Sequence, residues 1–569
     1  MSSHRSWQGL DLRCYRRSLS LLIFVLLALP LSATTYYVDC NGNDSNKGTS
    51  TSTPWLTIAK VNSHTFSPGD SILFNRGCTW REQLVVPSSG TSGSVITFGA
   101  YGSGAKPILN GSSLVTSWIV YSGAIYSASV AWTPNMVFED GLPLTMETST
   151  GAMVAGSYYA TGSTLYVWTA DGSNLSEHTM EASHYPAGAA GPNAPNDGLV
   201  RIYNQNYITL DGLDLRESNF YGVKVANTSN ITIQNASFEY SFHNGISPDE
   251  GGGFTASSNF NVLNNTFSYN GITRTRTPGY EGVAINFSGV QTGSISGNVI
   301  DHNYGEGIQI GGGSNNITVS NNSITNDAII GVNLCAGYGY GTDNTNITIH
   351  YNYVYNSTFQ NYFIASEKPA NNNGVNFSYN IGDTCTAAYE SNLVLGSTLT
   401  GVGVQENVSV YNNTFTGCWT GIRAIGNSGL GNNFKNNILK ATGYGWYMTD
   451  GSESGYSPDY EDISAPTAIY WLGTTYTLSD FQSAKSKMLH SLSADPKLNA
   501  NYTLQDGSPA INAGMNLGTP YNMGLNPGSS FPWSTLNQDS QGSRWAVGAF
   551  VFLQQIPPAP PTSLSATVK

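Results

Sequence analysis

Residues 230–247 read NITIQNASFEYSFHNGIS. Two apolar positions alternate with polar ones and lead to an Asn; one more apolar residue follows, and after a variable stretch comes Gly-Ile. The same order returns at 316–334 (NITVSNNSITNDAIIGVNL) and 407–425 (NVSVYNNTFTGCWTGIRAI), and in partial form at 259–271, 292–310 and 346–357. The landmark glycines are Gly222, Gly245, Gly282, Gly307, Gly331, Gly421 and Gly445, with Tyr362 and Asn392 in the slot between. A period of twenty-odd residues built from short alternating runs, without helical spacing, predicts a β-solenoid. One turn cannot bury its own apolar row, whereas stacked turns bury Ile, Val, Leu and Phe as ladders with strands ~4.8 Å apart. The recurrent Asn suits a tight bend, because its amide can bond backbone and the amides of the turns above and below.

Composition agrees. Charged residues make up 10% of the 569, far below the roughly 25% of ordinary soluble domains, so the surface must be mostly amide and hydroxyl. Near the N-terminus Arg13, Arg16 and Arg17 precede LSLLIFVLLALPLSA, which reads as a secretory leader cleaved after Ala33. Removing 1–33 takes away four arginines and Asp11, so the formal charge goes from −13 to −16. Such a surface repels nucleic acid and anionic lipid. Five cysteines remain (Cys40, Cys78, Cys335, Cys385, Cys418), an odd number that leaves at least one thiol unpaired within the chain. Cys385 and Cys418 each lie five residues after an aligned Asn, Asn380 and Asn413, and should stack as a disulfide or thiol pair.

The repeat, together with the opening YYVDCNGNDSNKGTSTSTPWLTIAKVN…FSPGDSILFNRG and the closing DPKLNANYTLQDGSPAINAG…DSQGSRWAVGAF, resembles the secreted bacterial proteins of the pectate-lyase-like superfamily. That resemblance implies an all-β, right-handed parallel β-helix. It leaves the chemistry open, since the superfamily holds lyases, glycosidases, epimerases, adhesins and tailspikes. The expected organisation is a leader (1–33), an N-terminal cap with the first coils (34–111), a β-rich insertion (112–186), the main β-helix (187–450) and C-terminal coils with a cap (451–555). A Pro-rich linker leading into the start of a further module closes the chain (556–569). Within the cap, LSDFQSAKSKML predicts a helix with Ser479 and Gln482 as its capping box, covering the end of the solenoid.

Aligned on the landmark glycines, an outward row reads Lys224, Ser247, Ala284, Gln309, Asn333, Ile364, Val394, Arg423 and Tyr447. The row before Gly reads Tyr221, Asn244, Glu281, Glu306 and Ile330, which predicts Glu281 and Glu306 as neighbours on successive turns. Two carboxyls about 5–5.5 Å apart are what a retaining glycosidase uses, one as nucleophile and one as acid. The same pair could instead hold a cation, or accept hydrogen bonds from turn amides. Nearby in sequence are Glu239, His243, Asp301 and His302, with Asp301 two turns above Glu239 and Ser268 between. Together with Glu281 and Glu306 these form the candidate catalytic set. Lys224, Arg274, Arg276, Tyr280, Gln309, Asn333 and Arg423 form the candidate substrate-binding set, and Asp249 and Glu250 are candidate metal ligands.

The leading expectation is a secreted, monomeric enzyme that hydrolyses a polysaccharide along turns 220–340. Its partner is the polysaccharide, with no nucleic acid and no membrane insertion after leader cleavage. A second reading is a lyase, in which a base takes the C5 proton of a uronate and Ca²⁺ or basic residues neutralise the carboxylate. No motif demands a cofactor, and Ca²⁺ enters only with that reading. A non-catalytic glycan-binding surface protein is the third.

Overall fold

A computed structural model describes residues 33–187, 198–248, 256–275, 282–426, 429–451, 453–542 and 544–553. Among them, three long sheets of thirteen, twelve and thirteen strands form the body, parallel except for the last strand of the third, which pairs antiparallel. Each turn contributes one strand to each sheet in chain order, as Ser229–Gln234, Ser237–Glu239 and Ile246–Pro248 do. The apolar ladders line the inside as one continuous core, with Phe238 stacked on Phe267 at 4.6 Å and Phe260 on Phe287 at 4.9 Å.

The recurrent Asn does two jobs at the corner between the first and second sheets. The first Asn of each NN pair takes a left-handed φ (56° at Asn264, 55° at Asn321, 54° at Asn412), a conformation that Asn tolerates better than most residues. The second faces inward and joins a ladder running through Asn265, Asn298, Asn322, Asn352, Asn380, Asn413 and Asn437. Asn352 is typical: its Nδ2 donates to Val319 O (2.9 Å) and to Asn380 Oδ1 (3.0 Å), while its own Oδ1 accepts from Asn322. The buried amides satisfy one another and the backbone, which removes the cost of placing them there. Glu461 ends the ladder and accepts from Asn437, and burial holds its carboxyl well above the usual range.

The insertion between Asn110 and Gly198 forms a four-stranded and a five-stranded sheet; the four-stranded one takes in Ser112–Leu114 and Met180–Ser183. It has its own core of Val137, Tyr158, Leu165, Val167 and Met180, and it docks on the solenoid where Met136 and Phe138 meet Tyr240 and Ile272.

At the far end the helix spans Leu478–Lys485 and packs Phe481 against Trp471 (5.0 Å) and Tyr476 (5.6 Å). It covers the end of the solenoid, but its cap differs from the expected box. Thr477 is the N-cap and accepts from Asp480 N, one Ser/Thr earlier in TLSDFQ than Ser479. Cys385–Cys418 and Cys40–Cys78 are disulfides, and Cys335 is a buried cysteine outside them. Among the described residues no helix is long and apolar enough to cross a membrane.

Candidate functional site: the outward column of the third sheet

Register corrects the alignment read from the sequence. Val283, not Glu281, pairs with Glu306, and Ile285 pairs with Ile308. Ala284 therefore fills the landmark slot and the repeat step there is 23 residues, so the two Glu-Gly phrases are offset by two positions. The equal-rung argument for a Glu281–Glu306 pair does not hold; Glu281 itself lies outside the described residues. A one-residue slip occurs further on, where Val332 pairs with Tyr362 and Asn333 with Phe363. Asn361 and Asn392 occupy the landmark slot, with Asn361 Nδ2 donating to Asn392 Oδ1 at 2.8 Å.

The corrected outward column reads Lys224, Ser247, Asn286, Gln309, Asn333, Phe363, Val394, Arg423, Tyr447 and Tyr470. Asn286 replaces Ala284 and Phe363 replaces Ile364. Sequence reasoning missed Asn286 because it followed the Glu-Gly phrase; aligning AINF on GIQI by their apolar residues would have found it.

The flanking Val223, Val225, Ile285, Phe287, Ile308, Ile310, Val332 and Leu334 belong to the interior core. Strand alternation therefore turns the first five members of the column away from that core. Lys224 is nevertheless only 3% exposed, Asn333 4%, and Ser247, Asn286 and Gln309 0%. A polar row on the outer face of a sheet that is this sheltered is covered by other parts of the protein rather than wetted. Its members bond to one another and to backbone: Asn286 Nδ2 to Gln309 Oε1 (3.2 Å), Ser288 Oγ to Asn286 Oδ1 (2.8 Å) and Ser247 Oγ to Pro248 O (3.0 Å).

Glu306 stands at the edge of this row, 4% exposed, and its Oε1 accepts from Asn333 Nδ2 at 2.9 Å. Since Asn333 faces outward, the Glu306 carboxylate emerges on the outer side, and Gly307 is where the alternation resets. Behind Gly307 lies Asp327, a group the sequence reading did not single out. A Cβ at Gly307 would come within 2.5 Å of Asp327 Oδ2. Asp327 holds a position that Asn270 and Asn303 fill on earlier turns, and its Oδ1 accepts from Asn303 N (2.9 Å) and Nδ2 (3.2 Å). Burial pushes its carboxyl up to about 8, against the opposing pull of the Asn303 hydrogen bonds, so it is neutral at pH 7.

Three rungs before Gln309, Lys224 places Nζ 4.4 Å over the Tyr221 ring and 3.4 Å from Pro248 O. His243 packs edge-on against Tyr221 (5.1 Å) and along Phe220 (5.2 Å), and its Nδ1 lies 2.7 Å from Asn244 Oδ1. Burial holds the His243 ring down to about 4, the Asn244 contact pulling slightly the other way, so it is neutral at physiological pH. His243, Tyr221 and Lys224 form one cluster; Glu306, Gln309, Asn333 and Asn286 form another. At ~4.8 Å per rung, Lys224 and Gln309 stand about 14 Å apart along the sheet.

The remaining candidates sit elsewhere. Glu239, Ser268 and Asp301 stack on the second sheet as the sequence predicts, on a different face from the column. His302 Nδ1 lies 2.7 Å from Asp301 Oδ2, and Asp301 also accepts from Thr325 and Asn326. Burial alone would raise Asp301, but these hydrogen bonds outweigh it and hold the carboxyl below the usual range. Glu239 is raised by burial despite Arg216 beside it. His302 stacks on Tyr269 at 5.8 Å, on the aromatic surface to which the insertion docks. Arg423 belongs to the column but four rungs beyond Gln309. Arg276, Tyr280, Asp249 and Glu250 lie outside the described residues, as does the Arg274 side chain.

Residues 198–380 match the family described as "Right handed beta helix region". The protein is a right-handed parallel β-helix. Over 85 residues the chain is 38% identical to a lacto-N-biosidase of Bifidobacterium longum subsp. longum, a stretch that spans 14% of this chain and 5% of that protein's length. A structure of XylC with xylose superposes at a TM-score of 0.51 with 14% identity, covering 82% of this chain and 87% of the other. A GH136 lacto-N-biosidase structure from Eubacterium ramulus gives 0.35 at 15% identity over 76% of this chain and 63% of its own.

Proposed function

We propose that the protein is a secreted carbohydrate-active enzyme that cleaves a polysaccharide lying along the outer face of the third sheet, by hydrolysis, with Glu306 as a reacting carboxyl. The observation that carries this reading is the sheltered polar column Lys224, Ser247, Asn286, Gln309, Asn333 with the Glu306 carboxylate at its edge. The polar row runs for five successive rungs, the direction and length that a chain ligand along this face would follow. The short stretch shared with a lacto-N-biosidase supports a glycoside as the bond broken.

A hydrolase needs a second carboxyl. Glu281 is the first to test, as a residue of this segment rather than as a rung partner. Elimination is favoured by a different observation, the neutral His243 ring beside Tyr221 and Lys224, which offers a base and a cation together. Incubation with a polysaccharide panel separates the readings. New reducing ends without ultraviolet absorbance support hydrolysis; reducing ends with the absorbance of an unsaturated uronate support elimination; neither signal on any polymer leaves a binding protein. Secretion is tested apart, by N-terminal sequencing of exported protein. The expected first residue is Thr34, and a retained apolar leader overturns it.

A further inference from the structure

Beyond Asn333 the outward column changes character. Phe363 and Val394 follow, then Arg423, Tyr447 and Tyr470. Around Arg423 the side chains of Tyr389, Trp419, Thr420, Tyr444 and Tyr447 line a cleft of about 320 Å³. The rings meet mostly edge to face: Tyr389 on Trp419 at 5.1 Å and 84°, Trp419 on Tyr444 at 6.0 Å and 79°. None of the cleft's aromatic residues belongs to a buried core cluster, and Tyr389 is 68% exposed. Tyr447 and Tyr470 stack at 4.5 Å and 9°, extending the wall by one further turn. Gly443 makes room for the platform, since a Cβ there would lie 2.4 Å from the Trp419 ring.

Arg423 is the charged member. Its guanidinium carbon sits 5.5 Å over the Tyr447 ring, and among the described residues no carboxylate lies within 4 Å of it. Its Nε is buried without a hydrogen-bond partner there. A guanidinium held chiefly by a ring face keeps N–H donors for a ligand. Aromatic rings with one directed donor are what a pyranose needs, its C–H face packing on the rings and its oxygens accepting. The concave shape suits a small unit of a ligand better than a flat protein contact. Position supplies the rest: Arg423 is in register with Gln309 across four rungs, about 19 Å along the same face.

We infer that this cleft is a second glycan subsite, which holds one sugar unit of the chain whose reacting bond lies at Glu306, by stacking on Trp419 and by a hydrogen bond from Arg423. The assignment of a glycan rests on the proposed function; the cleft itself does not. Its consequence is a preference for long chains, because only a ligand spanning about 19 Å can occupy both places.

The test is calorimetric titration of the mature chain carrying Glu306→Gln, so that no ligand is consumed, with xylo-, cello-, N-acetyllactosamine and galacturonide oligosaccharides, short and long. At least one long ligand is expected to bind, and a short one of the same series more weakly. Trp419→Ala and Tyr389→Ala should each weaken the long ligand about tenfold, Arg423→Met should weaken it too, and Trp419→Tyr should keep most of the affinity. Tyr389 is exposed enough that its truncation leaves the unfolding temperature unchanged, which covers the case of a misfolded Trp419→Ala. The inference is overturned if no oligosaccharide binds, if both alanine variants bind as the parent does, or if the variants instead abolish self-association of the chain. A protein that binds long chains through the cleft but never cleaves them refutes the proposed function and leaves the subsite standing. One that cleaves with binding unchanged in the variants refutes the subsite alone.

Discussion

Two stacked rows of buried amides run along this molecule, and they differ in what repeats. At the corner between the first and second sheets the same residue recurs for seven turns, each Asn satisfied by the next and by backbone. On the five buried rungs of the outward column of the third sheet the residue changes at nearly every turn, from Lys224 through Ser247, Asn286 and Gln309 to Asn333. Uniformity at a stacked position reports that each turn asks the same thing of its neighbour, which is a structural demand. Variation under equal burial reports that something outside the stack sets the requirement.

The largest effect that would test this contrast is catalytic. Glu306→Gln keeps the acceptor for Asn333 but loses the titrating group, so turnover should fall by more than about a hundredfold with little change in unfolding temperature; Glu281→Gln should do the same if it is the second carboxyl. Parental activity in both on a polymer the parent cleaves would move the column to the structural side of the comparison. Next comes the ladder. Asn352→Ala removes the acceptor for Asn322 and the donor to Asn380 and Val319 O, stranding buried groups, and should cost about 3 kcal/mol in urea unfolding. Specific activity of the folded fraction should be unchanged.

The ladders were legible because their signal is local and periodic: NN before an apolar residue gives both the left-handed bend and the inward amide. The stacking of Cys385 on Cys418 and of Glu239, Ser268 and Asp301 followed from the same alignment. The Glu281–Glu306 register failed for the converse reason. A repeated phrase of two residues outweighed the apolar alternation, and alternation is what burial enforces. Shelter of the outward column was not legible, because it depends on chain lying over the sheet, which the repeat does not specify. Asp327 escaped notice as one Asp among many Asn, though it breaks its own ladder.

That break gives a pH-dependent prediction. Asp327 has a folded-state value near 8, well above the usual carboxylate value of about 4. Its contribution to stability is fully present below about pH 4 and is lost as the pH rises through about 8. Asp327→Asn, which continues the amide chain from Asn303, should flatten the fall in unfolding temperature across that window and leave acid stability unchanged. The smallest effect belongs to His243, whose folded-state value near 4 lies below the ordinary 6.5. Its contribution is present above about pH 6.5 and is lost as the pH falls through about 4, so His243→Gln should blunt acid unfolding over that range. A histidine limb in the pH–rate profile between pH 5 and 8 would have to come from another residue.

The segment after the capping helix does more than close an end. It doubles back along the second sheet, where Leu525, Ala549 and Phe550 pack on Ile381, and Leu504 and Ala546 on Ile438. Gln538 Nε2 donates to Tyr379 Oη at 2.9 Å, and Tyr351 Oη donates to Met523 O at 2.8 Å, across 159 and 172 residues of sequence. A stack of turns linked only to nearest neighbours can fray from its exposed end one turn at a time. A strap that grips turns well inside the stack ties their fates together, so the last turns cannot open without the strap first letting go. The order of assembly is fixed too: the strap has no surface to seat on until the turns around Tyr351, Tyr379 and Ile438 exist. As the chain emerges N-terminus first, growth of the column comes first and locking comes last.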